Sequence, residues 1–558
     1  MRQLSYGDIM VFLIYFVIVA SYGLIVYRRK KQTDVSKSKD YFLAEGSLTW
    51  WAIGASLIAS NISAEQMVAM SSNGFTMGLA ISTYEWMAAL TLIIVAVFFI
   101  PVYLKNKIFT MPQFLHQRYN STVAMIMAVF WLLLYVIVNL TSILYLGAIA
   151  IHGISGVDFN VCIALLAVFA IVITLGGMKV IGYTDVIQVF FLILGGLVTT
   201  YIAVNLVATH YGQSGLGSGL SIMYSKFHDH FHMILKKDNP SYGDLPGLTV
   251  LIGGMWIVNL NYWGCNQYIT QRALGANLPT ARGGILFAAF LKLLMPMIVV
   301  LPGIAAYVLY KENVFNTDMA GSIASNHDNA YPVLLNLLPA GIKGLAFAAL
   351  TAAVVASLAG KANSIATIFT LDIYKKKIRP DASEVNLVKV GKITVVVAMI
   401  LGVVISPFLG IDKKGGFQFI QEYTGFVSPG IFAMFILGFF WKKASSNAAM
   451  FATIGGFIFS VFFKFLPKIT NLSYLAHSGF SYKNADSHLY EIPFLDRMGF
   501  VFVICIVGMI VISLIDHARG KTTHGLEIDA KMFRTTNGFA VGALIIIGVL
   551  VALYTVFW

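Results

Sequence analysis

The sequence of 558 residues predicts an all-α polytopic membrane protein with fourteen transmembrane helices. Three observations carry this prediction. Hydrophobic residues make up 58% of the chain and charged residues 11%, against about a quarter in soluble domains. Mean hydropathy is +0.79. Apolar runs of roughly 20 residues, enough to cross a bilayer, recur along the whole chain. No strand-rich stretch interrupts them, so helices are the means of satisfying the backbone in lipid.

The first run, residues 9–26, is too long for the core of a signal peptide and lacks a basic flank before it. It reads as a retained span over 7–27. Further spans are expected at 49–71, 77–103, 122–151, 156–176, 181–208, 248–270, 282–310, 338–374, 387–408, 417–441, 446–466, 498–516 and 535–557. The three cysteines, Cys162, Cys265 and Cys505, all fall within spans and have no metal-ligand or disulfide spacing.

Lys and Arg set the orientation. Residues 28–40 form a strongly basic loop. Lys105, Lys107 and Arg118, Lys375–Lys377 and Arg379, Lys442 and Lys443, and Arg519 and Lys521 fall on the same side, which is taken as inside. Both termini are then outside. Lys236, Lys237, Lys413 and Lys414 run against the bias. The net charge of +13 sits mostly in these short loops and signals topology, not nucleic-acid binding. Longer polar loops are expected outside at 209–247, 311–337 and 467–497. The first holds HDHFH, residues 228–232, read as a solvated loop in preference to a metal site.

The chain divides into a first helix with its basic loop (1–48), a first repeat (49–208), the outer loop (209–247), a second repeat (248–441) and three C-terminal helices (442–558). Spans two to six and seven to eleven are five each. An odd number inverts the second set relative to the first. The leading helix of each set is polar and Gly/Asn-interrupted, the arrangement that marks a midplane binding site in transporters.

Glu65, Glu85, Asp185, Lys292, Lys361 and Glu422 are ionisable residues inside spans. Each costs about 3 kcal/mol at mid-bilayer, so such groups face a bundle interior or a wet cavity. Around them cluster Asn61, Ser63 and Gln66; Tyr84; Asn259, Asn261, Tyr262, Trp263, Asn266 and Gln267; and Gln418, Gln421 and Tyr423. Amides and carboxylates match the donors and acceptors of sugar hydroxyls. Aromatic rings offer a platform for the CH face of a sugar ring.

The segments ASNISAEQ (59–66), STYEWMAALTLI (82–93), GYTDVIQVFF (182–191), NYWGCNQYI (261–269), AAFLKLL (288–294), ASLAGKANSIATIFTLDIYK (356–375) and QEYTGFVSPGI (421–431) resemble those of the sodium:solute symporter family, especially its bacterial sodium/galactose members. The resemblance implies a LeuT-type 5+5 inverted-repeat core. It implies sugar contacts at Gln66, Glu85, Asn259, Lys292 and Gln421, with Asn61 nearby. Tyr262 matches an inner gate, with Trp263 beside it. Met70, Tyr84 and Phe417 match an outer gate. A sodium ion is implied on the carbonyls of Ala59, Ile62 and Ala353 and the hydroxyl of Ser357. Oxygen ligands suit such a hard cation.

Three positions depart from the family pattern. Ala88 stands where a sugar-contact serine is usual, and Ala356–Ser357 replaces a Ser–Ser pair at the sodium site. Lys361 replaces an apolar residue, on the helix face shared by Ala353 and Ser357. One reading pairs Lys361 with Asp185 and retains sodium; the other lets the ammonium stand in for the ion. The expected activity is sodium-coupled import of a neutral monosaccharide across a bacterial inner membrane, with no enzymatic chemistry. The alternatives are a sodium-independent sugar or polyol facilitator and a non-transporting sugar sensor. An intramembrane enzyme is disfavoured, because Glu65 and Glu85 come without a nucleophile, metal spacing or phosphate loop.

Overall fold

Long apolar helices, several of them broken, build nearly all of the structure. A computed structural model describes residues 4–30, 41–42, 48–408, 416–485 and 487–558. Most of the basic loop at 28–40, together with Lys413 and Lys414, lies outside the described residues.

Helix α1 (Tyr6–Lys30) is followed by α2 (Trp50–Asn61) and, after a short break, α3 (65–77). Helices α4 (83–105), α5 (Ser121–Ser155), α6 (Phe159–Thr174) and α7 (Met178–His210) come next. The second set opens with α8 (Gly254–Cys265) and α9 (Gln267–Leu274), again separated by a break. It continues with α10 (Leu278–Lys311), α11 (Ile342–Ile378), α12 (Glu384–Phe408), α13 (Gly416–Gly425) and α14 (Ser428–Phe440). Helices α15 (Ser446–Lys468), α16 (Phe494–Ala518) and α17 (Asn537–Val556) close the chain.

Among the described residues, ten helical runs are long and apolar enough to cross a membrane, and Phe159–Thr174 and Ser428–Phe440 are shorter apolar helices. The expected spans at 49–71, 248–270 and 417–441 are not continuous. The first is broken at Ile62 and Ser63, the second at Gly253 and Asn266, and the third at Phe426 and Val427. The third split falls just before Pro429, a residue suited to a helix start and hostile to a helix interior.

The expected outer loops carry structure of their own. Leu216–Lys226 and Thr317–Ser325 are helices, and Tyr482–Lys483 pairs antiparallel with Tyr490–Glu491. The histidine stretch folds as a short turn, His228–Phe231. Its His230 Nε2 lies 3.2 Å from the Phe75 carbonyl oxygen, and its ring stacks on Tyr307 at 3.7 Å. His232 Nδ1 lies 2.9 Å from the Trp558 carbonyl oxygen. The stretch thus covers the end of α3 and the end of the chain.

Helix packing leaves little slack around α3. A Cβ at Gly303 would overlap the Ser71 carbonyl, and one at Gly74 would overlap the Val300 carbonyl. Small residues let these backbones touch, as helix pairs in membranes commonly do. The second half of the broken helix is therefore clamped to α10, and its first turn faces the protein interior.

Candidate functional site

The two polar helix breaks are closed in different ways. At the first, α2 ends at Asn61 and Ile62 turns extended, with φ −77° and ψ 109°. Ser63 Oγ accepts the Glu65 N–H at 3.1 Å, and Gln66 Oε1 accepts the Ser63 N–H at 3.1 Å. This is a capping-box arrangement, Ser-x-x-Gln, placed inside a membrane segment. It satisfies donors that would otherwise face an apolar surrounding. Because Oε1 is engaged, the amide NH2 of Gln66 is the group left for a ligand.

At the second break α8 ends at Cys265 and Asn266 is extended, with φ −100° and ψ 128°. The Tyr135 hydroxyl donates to Asn266 Oδ1 at 2.7 Å and accepts the Gln267 N–H at 3.2 Å. A residue of α5 therefore closes this break, whereas the first is closed locally.

A polar cavity lies between the two breaks. It brings together Asn61, Gln66, Glu85, Asn259, Tyr262, Trp263, Lys292 and Gln421 on its wall, with Tyr84 and Phe417 and also Glu65, Ala88 and Lys361. Lys292 donates to both Glu85 Oε2 and Asn61 Oδ1. Asn61 Nδ2 in turn donates to the Tyr262 hydroxyl at 2.9 Å. The Lys292 ammonium is 5.2 Å from the centre of the Trp263 ring. Four of the expected contact residues thus form one chain of hydrogen bonds. Asn259 Nδ2 donates to the Met255 carbonyl of its own helix at 3.2 Å, leaving its Oδ1 toward other partners.

Tyr84 packs edge-on against Phe417, with ring centres 4.9 Å apart. Met70 is fully buried and does not line the cavity, unlike its two expected gate partners.

The residues expected to hold sodium lie off the cavity wall. Ala59, Ile62, Ala353 and Ser357 are all buried where α11 crosses the first break. Ser357 Oγ donates to the Ser60 carbonyl at 3.1 Å, joining the two segments. The last turn of α2 leaves carbonyls without intrahelical partners, which supplies oxygen ligands there.

The expected pairing of Lys361 with Asp185 is not what the fold makes. Asp185 Oδ2 accepts from Ser56 Oγ at 2.5 Å and lies 3.9 Å from Arg272 Nη2, while Arg272 Nε donates to the same Ser56 hydroxyl at 2.7 Å. Lys361 Nζ instead lies 3.9 Å from Glu65 Oε1. The reason is helical phase. Gly360 is the residue of α11 that abuts Arg272 and Ser60. The next residue is turned about 100° around the axis, so it faces the cavity and not α7.

Sequence reasoning missed Trp131, Asn139, Tyr268, Thr424 and Ser428, all on the cavity wall. Asn139 had a signal, as a lone amide in an apolar span. Thr424 follows Gln421 at helical spacing, which places it on the same face, whereas Ser428 lies beyond the split that follows Gly425. Trp131 and Tyr268 carried no local mark. Glu422, grouped with the intramembrane charges, points elsewhere and pairs with Arg497 at 2.8 Å and with Lys464.

The profile of the sodium:solute symporter family matches residues 41–456. A sodium/glucose cotransporter of Vibrio parahaemolyticus is 47% identical over 564 aligned residues, covering 100% of this chain and 99% of that protein. A sodium/myo-inositol cotransporter 2 of Bos taurus is 34% identical, covering 82% of this chain and 69% of that one. Among solved structures, a sodium-coupled sialic acid symporter has the same fold, with a TM-score of 0.74 at 20% identity over 94% of this chain and 100% of that one. A matched profile over most of the length, full-length identity to a cotransporter and a cavity set between two broken helices lead to one conclusion: this multi-pass membrane protein is not an enzyme and belongs to the sodium:solute symporter family.

Proposed function

We propose that the protein imports a neutral monosaccharide together with sodium, by alternating access. The observation that carries this reading is the charge balance of the cavity. Its wall holds two ammonium groups, Lys292 and Lys361, and two carboxylates, Glu85 and Glu65, in matched pairs. The remaining polar groups are amides and hydroxyls beside Tyr262 and Trp263. Such a wall suits a solute that is rich in hydroxyls and carries no net charge. A galactose- or glucose-like ring stacked on Tyr262 would meet Gln66, Glu85, Asn259, Lys292 and Gln421. Ala88 removes one hydroxyl from that wall and bears on which hexose is preferred.

In the same reading the chain crosses the membrane fourteen times, with 49–208 and 248–441 as inverted repeats led by the two broken helices. It resides in a bacterial inner membrane with both termini outside. The contact of His232 with the Trp558 carbonyl, and the Asp8 carboxylate accepting the Gly341 and Gly344 N–H groups at 2.8 Å, support this orientation. Sodium binds at Ala59, Ile62, Ala353 and Ser357 and holds the first break in its ligand-ready form. Tyr84, Phe417 and Met70 close the outer side, and Tyr262 closes the inner side. One sodium moving through about 100 mV supplies about 2.3 kcal/mol, enough for roughly fifty-fold accumulation.

The test is uptake of labelled galactose, glucose and myo-inositol into proteoliposomes, with outside sodium or choline. Accumulation above equilibrium in sodium alone is expected. Equal uptake in choline would make the protein a facilitator, and no uptake of any sugar would favour a sensor.

A further inference from the structure

One charged pair of the cavity contributes to its charge balance but is not among the proposed solute contacts. Lys361 Nζ stands 3.9 Å from Glu65 Oε1 and 5.1 Å from the centre of the Tyr268 ring, with its side chain 3% exposed. Among the described residues it makes no hydrogen bond. Glu65 is better anchored, since its Oε1 also accepts from Ser142 Oγ at 2.9 Å. Lys361 lies one helical turn from Ser357, on the same face of α11. Ser357 is the side chain that meets the first break, through the Ser60 carbonyl.

We propose that Lys361 is a tethered cation that sets the sodium affinity of this transporter: its ammonium opposes an ion at the first break, and Glu65 limits that opposition. The inference rests on the reading that sodium sits at Ser357 and the break carbonyls. Residues 357 and 361 are separated by a helical rise of roughly 6 Å, and positive charges at separations of that order repel appreciably even at an effective dielectric near 20. A carboxylate beside one of them offsets much of that repulsion. The loosely held ammonium therefore lowers the affinity for sodium without replacing it, and favours release of the ion on the inner side.

The experiment is binding of radioactive sodium to the purified full-length protein, paired with the sodium half-saturation of sugar uptake in proteoliposomes. Lys361→Met is expected to tighten sodium about tenfold, and Lys361→Gln, the second variant should the first not fold, by a similar factor. Lys361→Arg keeps the charge and is expected to stay within about twofold of the parent. Glu65→Gln is expected to weaken sodium severalfold, and Glu65→Gln/Lys361→Met to bring sodium binding back near that of the parent, because the two opposite charges act on the ion additively. Unchanged or weaker sodium binding in both neutral variants overturns the proposal. Ser357→Ala separates the two layers. If it abolishes sodium binding while the neutral Lys361 variants do nothing, only the lysine inference falls. If it leaves sodium binding intact, the seat itself is misplaced and the inference falls with it.

Discussion

Lys292 and Lys361 are the same chemical group on the wall of the same cavity, yet they are held differently. Lys292 donates to Glu85 and Asn61 and lies over Trp263, so its charge is locked and its partners depend on it. Lys361 has a carboxylate at 3.9 Å and an aromatic ring, with no hydrogen bond among the described residues. A buried charge whose partners are bonded to it is part of the frame. One that is merely near its counter-charge is free to act on a third charge. In the proposed reading, this difference gives Lys292 to solute geometry and Lys361 to ion affinity.

Removing Lys292 is the harshest way to challenge that contrast. Lys292→Met strands Glu85 and Asn61, and breaking such a buried pair costs about 3–5 kcal/mol. Sugar uptake is expected to be lost and the thermal midpoint in detergent to fall by several degrees, while Lys361→Met keeps a midpoint close to the parent. Equal stability of the two variants, read by tryptophan fluorescence on heating, would erase the distinction.

A smaller effect separates the solute face from the ion face. Gln421→Ala removes one hydrogen-bonding amide from the cavity wall and is expected to raise the sugar KM about tenfold, the worth of about 1.4 kcal/mol. Its sodium half-saturation at saturating sugar is expected to stay near that of the parent. Gln66→Ala is expected to do more, because Gln66 also caps Ser63. Losing that cap costs about 1 kcal/mol, so its sodium half-saturation rises as well. Identical behaviour of the two variants would mean that the cap does not shape the ion seat.

The smallest expected effect lies outside the membrane and serves as a control for both lysines. Burial pushes the His230 imidazole below its ordinary range, so the folded protein holds it neutral. As pH falls, the unfolded chain takes up that proton first, and stability drops below about pH 6.5. His230→Gln is expected to flatten this loss between pH 7.5 and 5.5 in thermal unfolding, without changing the order of the Lys292 and Lys361 variants. A parent protein equally stable at both pH values, or a variant that loses as much as the parent, would rule out this role for His230.

Much of this could be read before folding. Hydropathy located the apolar helices because a bilayer imposes a length and a composition on any crossing segment. The amides and carboxylates of the cavity were visible because polar groups are rare at such depth and stand out. The first break was also legible in principle, since Ser63-x-x-Gln66 is a helix-start signature inside an apolar run. The second was expected too, from its Gly and Asn residues, but its closure was not legible, because Asn266 is closed by Tyr135, more than a hundred residues away in the chain.

What the sequence by itself determined is therefore local: which segments are apolar enough to cross, where the leading ones are interrupted, and which faces are polar. What only the tertiary structure decided is which charge meets which. Asp185 goes to Arg272 and Ser56, and Lys361 goes to Glu65, although spacing along α11 placed Lys361 correctly on the face of Ser357. Periodicity fixes the angle of a side chain about its own helix axis. It says nothing about how far away another helix stands or what that helix presents at the same height. Those two quantities come from packing, as when Gly360 lets α11 lie against Arg272 and so turns the next residue into the cavity.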